Sequence, residues 1–371
     1  MEREVLRTPL CDLLGIEYPI LLAGMGGAST PELAAAVSNA GGLGILGAAT
    51  LGPDELSEWI RRTRELTSRP FGVDTLLPAT VPSSGSTRQF RAELPQSHID
   101  FAKRFKEKHH IPDLDPKRTG PGGSFAFSRD FFARQIEVIL DERVPVYAAG
   151  LGNPDFLLKD AHARGMKVLA IAGAVKHALR FKEGGIDIIV AQGTDGGGHN
   201  SRVGTMALVP QVVDAVHPIP VLGAGGIADG RGLVAALALG AVGVWCGTLF
   251  LATPEAGIDA FQKEALLESG SDDTVVSRAM TGKPVRMLKN KWVEEFEASG
   301  LSALPMPYQA LIAFPVLEAA RQAEMKEVYP GIVGQCVGML RRLRPAGEIV
   351  EEMVRQASEI LTELPRTARP R

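Results

Sequence analysis

The sequence predicts an α/β fold: a (β/α)8 barrel with an insertion after its third strand and a helical appendage at its C-terminal end. Three observations lead there. Eight short apolar runs, rich in β-branched residues, recur between Pro19 and Cys246. Helix-length segments separate several of them, and strands that alternate with helices imply a parallel sheet covered on both faces. Each run is continuously apolar rather than alternating, as strands buried on both faces are. An open doubly wound sheet is the alternative, weakened because no clean G-x-G-x-x-G follows the first run.

The candidate strands are 19–23, 43–46, 71–74, 145–148, 167–171, 187–191, 220–223 and 242–246. The candidate helices between them are 31–40, 54–66, 154–164, 175–181, 210–216 and 229–239. Pro31 and Pro154 suit a first helical turn, and Asp229 suits an N-cap. The rhythm breaks over 76–123, rich in Pro, Ser, Gly and charge, with a basic helix-like piece near 101–110. A solvated excursion is the plain expectation there; a lid or subunit contact over the active-site face is the other. A helix near 129–141 restores the rhythm. After Pro254 the pattern turns helical, with amphipathic candidates at 261–268, 315–327 and 348–364. The expected organisation is therefore a barrel over 1–253, carrying the 76–123 insertion, and a helical appendage over 254–371 that packs on it.

The chain has 371 residues, enough for one large domain and an appendage. Forty basic residues against forty-three acidic give a net charge of -3. No basic excess exists to neutralise phosphates, so nucleic acid is not an expected partner. Cys11, Cys246 and Cys336 are far apart and form no C-x-x-C pair, which leaves zinc and a disulfide framework unsupported. The charged start, Met1 to Glu4, is followed by no apolar core, so no secretory signal is expected. The uncharged stretch 232–253 is long enough to span a bilayer. Gly240, Gly243 and Gly247 divide it, and a buried helix–turn–strand is the better reading. A soluble, cytoplasmic protein with a small-molecule substrate and no membrane role is expected.

Glycine carries the functional signal, at 41 of 371 residues against a usual share of about 7%. The clusters follow the strands, at the end where barrels bind ligands. Gly24 and Met25 follow the first strand and would lie beneath a flat ligand with backbone N–H groups free for it; the alternative is that Met25 plugs the barrel mouth. Gly225 and Gly226 follow the seventh strand, and Gly247 and Thr248 the eighth. That pair of loops is the usual phosphate site of such barrels, although tight turns alone would also use glycine. Gln192 closes the sixth strand and Asp74 the third, where each could meet a heteroaromatic ring edge or serve as a strand-end cap.

His199 is the one histidine directly beside a glycine cluster at a strand's C-terminal end, after Gly196, Gly197 and Gly198. A lone histidine is more often structural, but this position favours proton transfer. No second ligand is spaced to make it a metal site.

The runs 19–27 (PILLAGMGG), 191–199 (AQGTDGGGH) and 223–229 (GAGGIAD), with Gly247 and Thr248, resemble the nitronate monooxygenase family. The likeness covers roughly 10–253 and continues through 281–286 (TGKPVR) and the Gly334–Gln335 region. It implies a TIM barrel that binds FMN non-covalently, with His199 as catalytic base. Gly24, Met25, Gln192, Gly197, Gly225, Gly226, Gly247 and Thr248 match positions that hold FMN. The family often has Glu-Ala where Asp195 and Gly196 stand, which implies a more mobile loop here. It commonly has Asn in place of Asp74, and an ionised Asp accepts from a flavin ring but cannot donate to it. Homodimers are an expectation by family analogy.

The implied reaction is oxidation of alkyl nitronates by dioxygen. Flavin-type enoyl reductases and quinone reductases share the motifs, so an NAD(P)H-dependent reduction is the alternative, with NAD(P)H as co-substrate. A non-catalytic FMN carrier is a third reading. An IMP dehydrogenase type of barrel would need a cysteine in the loop 193–206, and none is there.

Overall fold

A computed structural model describes residues 6–77, 87–118 and 127–367. Eight parallel strands form one sheet: β1 (Ile20–Leu22), β2 (Gly44–Gly47), β3 (Phe71–Leu76), β4 (Val146–Gly150), β5 (Lys167–Ala172), β6 (Ile188–Gln192), β8 (Val221–Ala224) and β9 (Gly243–Cys246). The order is β1-β9-β8-β6-β5-β4-β3-β2. The ends meet, because Leu22 N–H donates to Leu43 O and Leu43 N–H to Ile20 O, both at 2.9 Å. The sheet is thus a closed (β/α)8 barrel, as all eight apolar runs predict.

Side chains alternate across each strand. Ile45, Val146, Ala148, Leu169, Val190, Leu222 and Trp245 fill the interior, and the helix Pro9–Leu14 closes one end with Leu10, Cys11 and Leu14. Leu46, Val73, Tyr147, Val168, Ile189 and Val244 point outward beneath the surrounding helices. Local chemistry starts those helices where expected. Thr30 accepts the Leu33 N–H before Pro31, and Asp229 accepts the N–H groups of Arg231 and Gly232. The uncharged stretch becomes helix Gly230–Ala238, a turn at Gly240 with φ +91°, and β9. Among the described residues no helix is long and apolar enough to cross a membrane.

Three differences from the sequence reading matter for the site. The segment after 253 is not helical throughout: β10 (Thr274–Ser277) and β11 (Val285–Leu288) form a hairpin. Its second strand pairs with β7 (Gly198–His199), a two-residue strand in the loop after β6. Two or four residues are too few to show a period, so this sheet left no signal.

The excursion 76–123 is not simply solvated. Residues 78–86 and 119–123 lie outside the described set, but the helix Gln96–Lys108 turns Phe101 and Phe105 into a second core with Trp292, Val293 and Phe296. His98 Nε2 pairs with Ser302 O at 2.9 Å, and His109 Nε2 with Glu295 at 2.6 Å. Together with helix Tyr308–Gln322 these pieces build a cap.

The third difference is one of bounds. Helix Thr205–Val216 starts before its predicted residue, and the 154–164 helix divides into a 3-10 turn, Asp155–Leu157, and helix Leu158–Ala163. The long helix Ala346–Thr367 packs on Gly230–Ala238, where Gly230 N–H donates to Gln356 at 3.0 Å.

Candidate active site

A cavity of about 1000 Å3 opens at the C-terminal ends of the barrel strands, and the cap contributes to its lining. All ten residues marked in the sequence, from Gly24 to Thr248, line it. The barrel brings them together because every loop involved leaves the same end of a closed parallel sheet.

His199 sits in β7, so its backbone is fixed by pairing with Val285. Gln192 Nε2 donates to the His199 carbonyl at 3.0 Å, which adds a tie from the end of β6. The imidazole Nε2 lies 2.9 Å from Thr281 Oγ1, while Nδ1 has no partner among the described residues. The Thr281 hydroxyl also reaches the Lys283 carbonyl at 3.4 Å. If the hydroxyl donates there, its oxygen accepts from Nε2–H and the lone pair rests on Nδ1. Burial, with the nearby Lys283 charge adding to it, pushes the His199 pKa down to about 4. The ring is therefore neutral at pH 7.

The loop that carries His199 is tied rather than loose. Asp195 Oδ2 accepts Thr205 N–H at 2.7 Å, and Asp195 O accepts Gln335 N–H at 2.9 Å. Arg286 Nε donates to Thr194 O at 2.8 Å. Asp195 and Gly196 thus replace the family's usual pair without leaving the loop unsupported. Gly197 lies directly against Val333 and Gly334.

Asp74 ends up 7% exposed, with Gly24 against it. A side chain on Gly24 would overlap the Asp74 Cβ, at 2.1 Å, so the close approach requires glycine. Burial raises the Asp74 pKa well above the carboxylate range, against a smaller opposing effect of a Gly150 backbone hydrogen bond. A neutral carboxylic acid can donate. Burial therefore favours the protonated form of Asp74, which weakens the objection drawn from an ionised Asp.

Met25 corrects one expectation. Its N–H is not free for a ligand, because it donates to Ser29 Oγ at 3.1 Å. The Gly24 N–H has no acceptor among the described residues.

At the other end, Gly225 and Gly226 are left-handed, with φ +96° and +78°. Neither N–H has an acceptor among the described residues. Consecutive unbonded N–H groups in such a turn make an anion cradle. Gly247 follows β9, and the Thr248 hydroxyl is already engaged, accepting Gly334 N–H at 2.9 Å. Cys246 and Cys336 also line the cavity, but burial raises both thiols, Cys336 to about 11. They stay protonated and are not nucleophiles.

A family model described as nitronate monooxygenase matches residues 7–356. The chain belongs to the nitronate monooxygenase family. It is an FMN-dependent oxidoreductase of that type. The chain is 40% identical over 97% of its length, and 98% of the relative's, to the Mycobacterium tuberculosis protein Rv1533, provisionally named a monooxygenase. It is similar to nitroalkane oxidase from Streptomyces ansochromogenes, with 32% identity, TM-score 0.81, and 96% and 99% of the two chains covered. It is also similar to FabK from Thermotoga maritima, with 31% identity, TM-score 0.78, and 98% and 100% covered.

The residues present fit FMN. The unbonded amides of Gly225 and Gly226 suit its phosphate, and Asp74, Gln192 and Gly24 suit the polar edge of its ring. Sequence reasoning did not single out Thr281 as a site residue. It lies 82 positions from His199, and its only signal was the TGKPVR run.

Proposed function

We propose that this nitronate monooxygenase family member oxidises alkyl nitronates with dioxygen, giving carbonyl compounds and nitrite. Two nitronates and one dioxygen balance as two carbonyls and two nitrites. Bound FMN would supply the electron-transfer chemistry, and the protein supplies binding, orientation and electrostatics. Gly225 and Gly226, with the turn at Gly247 and Thr248, would hold the phosphate, while Asp74, Gln192 and Gly24 would face the ring. Met25 and Gly197 would shape the walls against which it rests.

The observation that carries this reading is the neutral His199 on the cavity lining, held by Thr281 at Nε2, with Nδ1 unpaired among the described residues. Proton transfer works best when the catalytic pKa lies near the operating pH. At about 4, His199 is a weak base in the free enzyme, well suited to orient an already ionised nitronate. It is less suited to removing the α-proton of a neutral nitroalkane. An anion beside the ring would raise its pKa and improve it as a base.

His199→Asn should lower use of the nitronate several-fold through lost orientation, and lower use of the neutral nitroalkane further, because the base is lost as well. Nitrite release from each form of one compound, measured side by side, checks this. Equal loss of both activities would exclude the base role.

The cavity volume also keeps a second reading in view. About 1000 Å3 is at the upper end for ligand pockets and leaves room beside a flavin for another ligand. That reading is NAD(P)H-dependent reduction of an enoyl thioester or a quinone. Anaerobic mixing of the FMN-loaded protein with a nitronate, NADH and NADPH in turn separates the two. Bleaching by the nitronate alone supports oxidation; bleaching by a nicotinamide supports reduction.

A further inference from the structure

We propose that Lys283 is the anion-binding residue of the substrate subsite, holding a two-oxygen head group, nitronate or carboxylate, beside His199. The naming of the nitronate rests on the function proposed above; the anion site itself does not.

Lys283 lies in the turn between β10 and β11, two residues from Thr281, and lines the same cavity as His199. The side chain is half-buried, yet its ammonium has no ion pair or hydrogen bond among the described residues. An ammonium withdrawn from water without a counter-charge is costly.

The carboxylates in reach are accounted for. Glu318 and Asp259, which also line the cavity, are both held by Arg321 at 2.6 Å. Asp74 is itself buried, and that burial disfavours its charged form. Asp195 is occupied by the Thr205 N–H and has Arg286 nearby. The internal segments 78–86 and 119–126, outside the described residues, contain no acidic residue in the sequence.

The other cations on the lining differ. Arg321 is saturated, and Arg180 is exposed to solvent. His177 is half-buried, with burial lowering its pKa ahead of Lys176 and Arg180. Lys283 is therefore the partly desolvated cation of the described lining without a partner.

The FMN phosphate is assigned above to Gly225 and Gly226, which leaves the Lys283 site for the substrate. Burial also lowers the Lys283 pKa, and Lys283 helps to keep His199 low. An anion between the two groups would relieve both effects at once. The ligand class follows: a small anion whose oxygens can take the ammonium on one side and the imidazole on the other.

The test uses FMN-loaded protein and inorganic nitrite as the probe, with binding read from flavin difference spectra and FMN content measured in parallel. Lys283→Met should weaken nitrite binding roughly tenfold or more with FMN content unchanged. Lys283→Arg should keep most of the affinity, since the charge remains. In turnover, Lys283→Met should raise KM for the nitronate more than it lowers kcat. Unchanged nitrite binding in Lys283→Met, or no nitrite binding by the wild type, overturns the proposal. So does FMN loss in Lys283→Met that Lys283→Arg restores, because the charge would then serve the cofactor. Nitrite binding that depends on Lys283 in a protein that oxidises no nitronate would leave the anion site standing and remove only the proposed reaction.

Discussion

The barrel and the cap stabilise themselves by different means. The barrel interior is mostly aliphatic, with Trp245 among it, and comes from strands that follow one another along the chain, each paired mostly with its neighbour in sequence. The cap is aromatic at its centre. Phe101, Phe105, Trp292 and Phe296 meet with ring centroids 5.1 to 6.4 Å apart, although nearly two hundred residues separate the two pairs. The two regions also contribute differently to the site. The barrel supplies backbone amides and glycine turns, the proposed cofactor contacts. The cap supplies Thr281 and Lys283, which set the environment of His199. On this reading, holding the cofactor and tuning His199 should be separable, and each should break alone.

The largest effect should come from the cap. Trp292 is fully buried, and its Nε1–H donates to Ala279 O at 3.0 Å, two residues before Thr281. Trp292→Ala should cost about 3–5 kcal/mol, the usual range for deleting a large buried aromatic. If the regions are separable, denaturant unfolding will show this loss and activity will fall, while the protein that stays folded still retains FMN. Loss of FMN in step with loss of the cap would break the distinction.

A smaller effect should come from the barrel's anion cradle. Gly226→Ala places a Cβ on a backbone at φ +78°, which costs about 1–2 kcal/mol. FMN affinity, followed by flavin fluorescence on titration, should weaken roughly tenfold. Nitronate KM in the loaded fraction should stay near that of the parent.

The smallest effect at neutral pH should be Asp74→Asn, whose sharper signature is a pH dependence. The native carboxyl has a raised pKa and binds a proton that the unfolded chain releases above about 4. Its contribution to stability is present below the unfolded pKa and is lost as pH rises through the native one. Asp74→Asn removes that loss, so the variant should gain in Tm over the parent as pH rises, and its FMN affinity should lose the high-pH decline. Parallel Tm curves for the two proteins would show that Asp74 is ionised in the native state. His199 runs in the opposite direction. Its lowered pKa means that the unfolded chain takes up a proton below about 6.5 that the native state refuses until about 4.

The sequence by itself determined the eight strands, the end of the barrel where glycines gather, and ten residues that share one cavity. Each of these depends on local order: apolar run length, strand–helix alternation, and turn residues next to strands. Only the tertiary structure decided that Thr281 meets His199, that Gln96–Lys108 joins the cap, that Met25 spends its amide on Ser29, and that Lys283 is left without a counter-charge. Those facts depend on contacts between segments far apart in the chain, for which short elements such as β7, β10 and β11 give no periodic signal. Ionisation was decided there too. Asp74 and His199 have ordinary pKa values as isolated residues, and it is the packing around them that withdraws the water needed to hold a charge.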